Sequence, residues 1–409
     1  MRRITAAALA SAMAFSMAAA APAAAAPQRW VAAWLAPPIG YEPQIRDALG
    51  RPYNNETARQ VIRAGVGGDR LRVRFTNELS DTALQIGAAS IAQVDSAGNV
   101  VPGSVRPLTF GGAKGVVIPA HAPYLSDSVP ISVTAGEHFA VSVYYPGQDA
   151  PPAHAQMLDV APGDATGQAV LQNARHVRAP GLASELDVST ASKPRVLVAF
   201  GDSITEGAAS TPGAAMSYPD QLGKMLASRP DGWCWSVVNA GISGNRLLHD
   251  GRGPDAVSRF DRDVLSVPGV THVVVLEGIN DIGKIRNPAQ AGQEVTAEQI
   301  IDIYRQLLAR AHARGVKLII GTILPFKGAG YDSDEGEKKR LAVNAWIHAN
   351  AGEFDGLIDF DKAMQQPGDP MALRRGEEHG DHLHPNDLGY TRMAKTALAE
   401  LLQDRCPSR

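Results

Sequence analysis

From Trp30 to about Val188 apolar and polar positions alternate in short runs. Residues 71–75 (LRVRF), 129–133 (VPISV) and 139–145 (FAVSVYY) put apolar side chains on every second position, the period of a strand with one buried face. Turn residues punctuate these runs at Gly67-Gly68, Gly98-Asn99, Pro102-Gly103, Gly111-Gly112 and Gly136. Short strands at such spacing predict an antiparallel β-sandwich over residues 27–188. The small, polar stretch 184–194 marks a boundary, with 189–194 as the linker.

After Pro194 the period changes. Residues 196–200 (VLVAF) form a continuous apolar run, as does a strand covered on both faces, and similar runs recur at 236–239, 272–276, 317–320 and 356–360. Helical patterns lie between them. In the clearest, Thr296 and Gln299 make a capping box, Ile300, Ile303, Leu307 and Ala311 share one face, and Gly315 ends the helix. Strands alternating with helices predict an α/β unit over residues 195–409, a parallel five-stranded sheet in a three-layer α/β/α arrangement.

Composition narrows the classes that remain. A formal net charge of −3 without a basic block excludes a nucleic-acid footprint and an anionic-membrane patch. Arg2 and Arg3 precede an alanine-rich apolar run that ends in small residues, the pattern of a cleaved secretory signal over residues 1–26. The remainder has no apolar stretch of membrane-spanning length and is expected to be secreted or periplasmic, two units more negative than the full chain.

In an open parallel sheet, ligands bind beyond the carboxyl ends of the strands, so chemistry is sought in the loops that follow them. Those loops read Gly201-Asp202-Ser203-Ile204-Thr205, Asn239-Ala240-Gly241-Ile242-Ser243-Gly244-Asn245, Gly278-Ile279-Asn280-Asp281 and, after the fifth strand, Gly380-Asp381-His382-Leu383-His384-Pro385. They contain the parts of an acyl-transfer site: Ser203 as nucleophile, His384 as base and Asp381, three residues earlier in one tight turn, to orient it. The N–H groups of Ser203 and Gly244 and the amide of Asn280 supply donors for an oxyanion. A lone Gly-Asp-Ser more often places its serine at a helix cap; four blocks in order favour catalysis. Asp202, Glu206 and Asp281 read as structural neighbours. His379, Asp381, His382 and His384 also have the chemistry of zinc ligands, but a metal there leaves Ser203, Gly244 and Asn280 without a purpose. No metal or cofactor is therefore expected, and no Gly-x-Gly-x-x-Gly or phosphate loop follows the first strand. Thr205 stands where a nucleophile elbow needs its second glycine, which disfavours the α/β-hydrolase fold.

These four blocks resemble the SGNH/GDSL hydrolase superfamily across residues 195–404, with Ile204 in place of the eponymous leucine. The resemblance implies a flavodoxin-like α/β/α domain, Ser203, Asp381 and His384 as the triad, and Ser203, Gly244 and Asn280 as the oxyanion hole. With a β-rich part ahead of the first block, the chain looks like the exported acylhydrolase and arylesterase branch. That implies a serine esterase for short-chain esters, acting on acetyl groups of plant cell-wall polysaccharide or its oligosaccharides. The alternatives are a lipid or aryl ester hydrolase and, from a different class, a non-catalytic carbohydrate-binding protein.

Arg246, next to the oxyanion loop, is a candidate substrate ligand, whereas residues 259–263 (RFDRD) read as structural. Tyr218, Trp233, Trp235, Tyr331 and Trp346 read as packing residues, and no aromatic row marks a sugar platform. Cys234 precedes the second parallel strand at the amino end of the sheet, and the last helix returns Cys406 to that edge, so the pair is a candidate disulfide.

Overall fold

The computed structural model describes residues 28–40, 51–230, 234–283, 290–330, 332–403 and 406. The segment read as an export signal, together with Trp233 and Tyr331, lies outside the described residues. Among the described residues, twelve strands precede the parallel sheet: β1 (Arg29–Leu35), β2 (Tyr53–Arg63), β3 (Arg70–Thr76), β4 (Leu84–Ile86), β5 (Ala88–Val94), β6 (Arg106–Leu108), β7 (Val116–Ile118), β8 (Pro123–Leu125), β9 (His138–Asp149), β10 (Ala155–Pro162), β11 (Arg175–Pro180) and β12 (Glu185–Thr190). They form a four-stranded sheet in the order β1-β12-β3-β8 and a six-stranded sheet in the order β11-β10-β2-β9-β5-β6, with β4 and β7 paired apart. All pairings are antiparallel. In β3 the expected alternation holds: Leu71, Val73 and Phe75 are fully buried, and the arginines between them are not. These three join Ile91, Val141 and Val143 of the other sheet in one apolar core, as two facing sheets require.

Two expectations for this half are corrected. Residues 129–133 make only isolated bridges to Gly68 and Leu71. Pro130 has no N–H to extend a ladder. The stretch read as polar boundary holds β12, every residue of which is buried, so Ser189 and Thr190 belong to a strand that the 189–194 linker had included. Its acidic side chains have distant partners: Arg72 donates to Asp187 at 2.8 Å, and Arg70, Arg72 and Arg74 lie opposite β12 in register.

The second half is a parallel sheet in the order β14-β13-β15-β16-β17, with β13 (Arg195–Gly201), β14 (Trp235–Gly241), β15 (Val270–Leu276), β16 (Lys317–Gly321) and β17 (Gly356–Ile358). The central run expected at 196–200 is wholly buried, because helices cover both faces. The Ala297–Ala313 helix carries both hydrogen bonds of its capping box. The last strand stops earlier than its apolar run, since Asp359 caps a short helix, Phe360–Met364. A hairpin of Gln365–Gln366 and Asp369–Leu373 follows, so the Asp381 to His384 turn does not directly succeed the fifth strand.

The two halves meet along their length. Near the amino end of the parallel sheet, Ala32 donates to the Pro268 carbonyl at 2.9 Å and Ser236 Oγ donates to the Ala32 carbonyl at 2.8 Å. Near its carboxyl end, Arg262 reaches the Pro38 carbonyl, and His154 and Arg178 face Glu206. Cys234 and Cys406 are bridged across a sequence separation of 172, with Cα atoms 5.9 Å apart. In the chain-entropy account, closing so long a loop stabilises the fold by about 5 kcal/mol. At roughly 2–4 °C per kcal/mol for a unit of this size, reduction should lower Tm by about 10 °C or more. Thermal melts with and without a thiol reductant measure this; superimposed melts would show that the bridge contributes nothing. Among the described residues, no helix is long and apolar enough to cross a membrane.

Candidate active site

Strand register brings the first three sequence blocks to one edge. Gly201, the last residue of β13, lies opposite Gly241 of β14 and Leu276 of β15, so the loops carrying Ser203, Gly244 and Asn280 leave the sheet at the same level. Contact there is close: a Cβ on Gly241 would sit 2.2 Å from the Glu206 backbone nitrogen, which only glycine avoids. Asp202 caps the short helix Ser203–Glu206 by accepting the Ile204 N–H at 2.9 Å. Ser203 is the first helical residue, where an N–H has no acceptor within the helix.

The fourth block arrives from far along the chain. A bridge between Glu378 and Pro385 closes its loop, and Asn386 both caps the Asp387–Leu401 helix and donates to the carbonyls of Gly376 and Glu378. Within the turn Asp381 Oδ1 accepts the backbone N–H groups of Leu383 and His384 at 3.0 and 2.9 Å. Its Oδ2 lies 2.6 Å from His384 Nδ1, and His384 Nε2 lies 2.8 Å from Ser203 Oγ. Burial works to raise the Asp381 carboxyl, but the His384 N–H, the imidazole and the Leu383 N–H outweigh it and hold the group below the usual carboxylate range. The side chains of Asp381 and His384 are 41% and 19% exposed, so the cluster lies near an open surface.

Asn280 donates to the Asn245 carbonyl at 2.9 Å, which ties the third block to the second. Gly244 has φ of 71°, a left-handed conformation that favours glycine, and its vacant Cβ position would meet Arg252 Cδ at 3.0 Å. Beside the site a cavity of about 460 Å³ is lined by Ala209, Thr211, Pro212, His379, Asp387 and Leu388.

Arg246 is corrected. It is buried and donates to the side chain and carbonyl of Gln293 at 2.7 Å each, with Asp281 at 3.9 Å, so it braces the loop and offers no guanidinium to a substrate. The zinc alternative finds His384 engaged with Ser203 and Asp381, and His382 turned towards Glu378. Among the described residues no group of three or more His, Cys, Asp or Glu side chains is placed to hold a metal.

Arg259 is structural, as its sequence context predicts, and it reaches well beyond its own helix. Fully buried, it donates to the carbonyls of Gly201 at 2.9 Å and Ala240 at 2.8 Å and to Asn245 Oδ1 at 2.7 Å. It also pairs with Asp263 at 3.2 Å and Glu277 at 3.4 Å, and its guanidinium covers the Phe200 ring. One side chain thus ties together the ends of β13, β14 and β15. Around it burial pushes Asp202 up to about 7 and Asp281 up to about 6, and raises Glu277 well above the usual carboxylate range. An arginine four residues before an aspartate was the only signal in the sequence, and that spacing also describes an exposed helical pair. His154, isolated among small and apolar residues, and Arg178, the last of a short basic run at 175–178, gave none.

A hydroxyl held by an imidazole that is itself held by a carboxylate, at the carboxyl edge of a parallel sheet, is the arrangement of serine hydrolases. Residues 199–392 match the GDSL-like Lipase/Acylhydrolase family. Residues 199–392 are thus a GDSL-like acylhydrolase domain of the SGNH/GDSL type, and the protein is a carboxylic ester hydrolase. Among solved structures it is similar to a putative lipolytic protein of the G-D-S-L family from Desulfitobacterium hafniense, with 23% identity, 50% of this chain and 98% of that chain covered, and TM-score 0.38. A putative acylhydrolase from Bacteroides fragilis has 22% identity, covers 51% of this chain with 88% of its own, and has TM-score 0.39. A mutant of an acetyl-xylooligosaccharide esterase from Geobacillus Stearmophilus has 22% identity, 51% and 94% coverage, and TM-score 0.39. No curated protein matches the chain.

Proposed function

We propose that this chain is an exported serine esterase that removes short acyl groups from a carbohydrate alcohol through an acyl-enzyme. Ser203 attacks the ester carbonyl while His384 takes its proton and Asp381 holds the imidazole in the tautomer that accepts it. The oxyanion lies against the N–H groups of Ser203 and Gly244 and the amide of Asn280; the alcohol departs with the proton from His384, and water repeats the sequence on the acyl-serine. The observation that carries this reading is the 2.8 Å approach of Ser203 Oγ to His384 Nε2, backed by Asp381 at 2.6 Å. Asn280→Ala should reduce kcat by about 10²- to 10³-fold in a folded protein, the effect of losing one oxyanion donor. Steady-state kinetics on an aryl acetate measures it, and a change below threefold removes Asn280 from the site.

The triad lies close to the surface, with His384 19% and Asp381 41% exposed beside the buried Ser203, which supports an alcohol part too bulky for an enclosed pocket. The basic and apolar start of the chain and the disulfide support export. A lipid or aryl ester is the second reading, favoured by Leu388, 65% exposed beside the cavity. Activity across acyl lengths, together with acetate release from acetylated xylan, separates them. Peak rates on acetyl esters with release from the polymer support deacetylation, and a maximum at long acyl chains supports the lipid reading.

A further inference from the structure

Glu206 stands three residues after Ser203, at the end of the same short helix, and its carboxylate is engaged in two directions. Oε2 accepts the backbone N–H of Ser243, the residue before Gly244. Oε1 faces the β-half, with His154 Nε2 at 3.1 Å and Arg178 Nη2 at 3.3 Å. His154 precedes β10 and is buried, its other ring nitrogen 3.3 Å from the Pro37 carbonyl; Arg178 lies on β11. The same loop is fixed from its far side, where Ile39 packs against Gly253 and the stem of Arg252 lies over Gly244.

We infer that Glu206 is a positioning residue through which the β-half, by way of His154 and Arg178, holds the Gly244 N–H in register with Ser203. This rests on the esterase reading of the site. Arg178 donates to one oxygen and His154 Nε2 packs against that same oxygen, which restrains the carboxylate, and the second oxygen transmits that restraint to the Ser243 peptide next to Gly244. The Glu206 backbone leaves little slack, since it sits against Gly241 at a distance no Cβ could share. Oxyanion donors must lie within about 2.7–3.1 Å of an atom that becomes charged only in the transition state, so loosening this loop lowers kcat and leaves ground-state binding alone. The β-half thereby belongs to the catalytic apparatus and is not only a wall or a carbohydrate anchor.

The experiment uses the full chain with an aryl acetate and compares Glu206→Ala, Arg178→Met, His154→Gln and the double variant Arg178→Met/Glu206→Ala, with Ser203→Ala as the reference for the site itself. Glu206→Ala should lower kcat by about 10- to 100-fold with KM within about twofold, since misplacement by 1 Å costs up to about 10². Arg178→Met and His154→Gln should each lower kcat about 3- to 10-fold, and the double variant should be no worse than Glu206→Ala alone, because all act along one path. Glu206→Gln, which keeps an acceptor for Ser243, should recover part of the loss. The inference is overturned if Arg178→Met and His154→Gln keep wild-type kcat, or if the losses of Arg178→Met and Glu206→Ala multiply. Arg178 is 40% exposed, so its variant folds and decides the matter even where Glu206→Ala does not. Full activity in Ser203→Ala would instead remove the esterase reading, an outcome distinct from failure of the clamp alone.

Discussion

Replacing Ser203 with alanine should reduce kcat/KM on a small aryl acetate by about 10⁴-fold or more while leaving the melting curve unchanged, and His384→Ala should do nearly the same. The two losses should not multiply, since hydroxyl and imidazole act as one unit 2.8 Å apart. Asp381→Asn is the more discriminating change. The asparagine keeps an acceptor oxygen for the Leu383 and His384 N–H groups, but the charge that holds His384 Nδ1–H is gone. The turn should survive and the rate fall by about 10³- to 10⁴-fold through the wrong tautomer. Residual activity within tenfold of wild type in Ser203→Ala would exclude an acyl-serine.

Arg259 should weigh on stability about as heavily as the Cys234–Cys406 bridge. Arg259→Met leaves the buried carbonyls of Gly201 and Ala240, the Asn245 side chain and the carboxylates of Asp263 and Glu277 without their common donor. Breaking a buried ionic cluster by removing one partner costs about 3–5 kcal/mol. That converts to a Tm lower by roughly 6–20 °C, read by calorimetry or denaturant titration. Arg259→Lys should recover little, because a point ammonium cannot serve acceptors that the planar guanidinium reaches in several directions. A Tm within 2 °C of wild type in Arg259→Met would contradict the role assigned to this side chain.

The parallel sheet was legible because strands buried on both faces must be continuously apolar, and residues 196–200 are both. The site blocks were legible for a related reason: each loop carries its chemistry within a few residues, and Asp381 and His384 belong to one turn. What stayed hidden depends on partners distant in sequence. Glu185 and Asp187 look like exposed residues of a polar boundary stretch until β3 places arginines opposite them. Arg246 looks like a free cation beside an oxyanion loop until Gln293 takes it. Glu206 looks like a helix-end carboxylate until β10 and β11 bring His154 and Arg178 to it. Pro130 shows the opposite failure, a local rule present in the sequence and outvoted by hydropathy.

The most direct test of the account is labelling of the intact protein with a serine-reactive aryl phosphonate followed by peptide mass spectrometry. The account predicts one equivalent of adduct on the peptide containing Ser203, loss of esterase activity in step with labelling, and no adduct in Ser203→Ala or His384→Ala. An active protein that stays unlabelled, or an adduct on another residue with turnover lost in parallel, would contradict it.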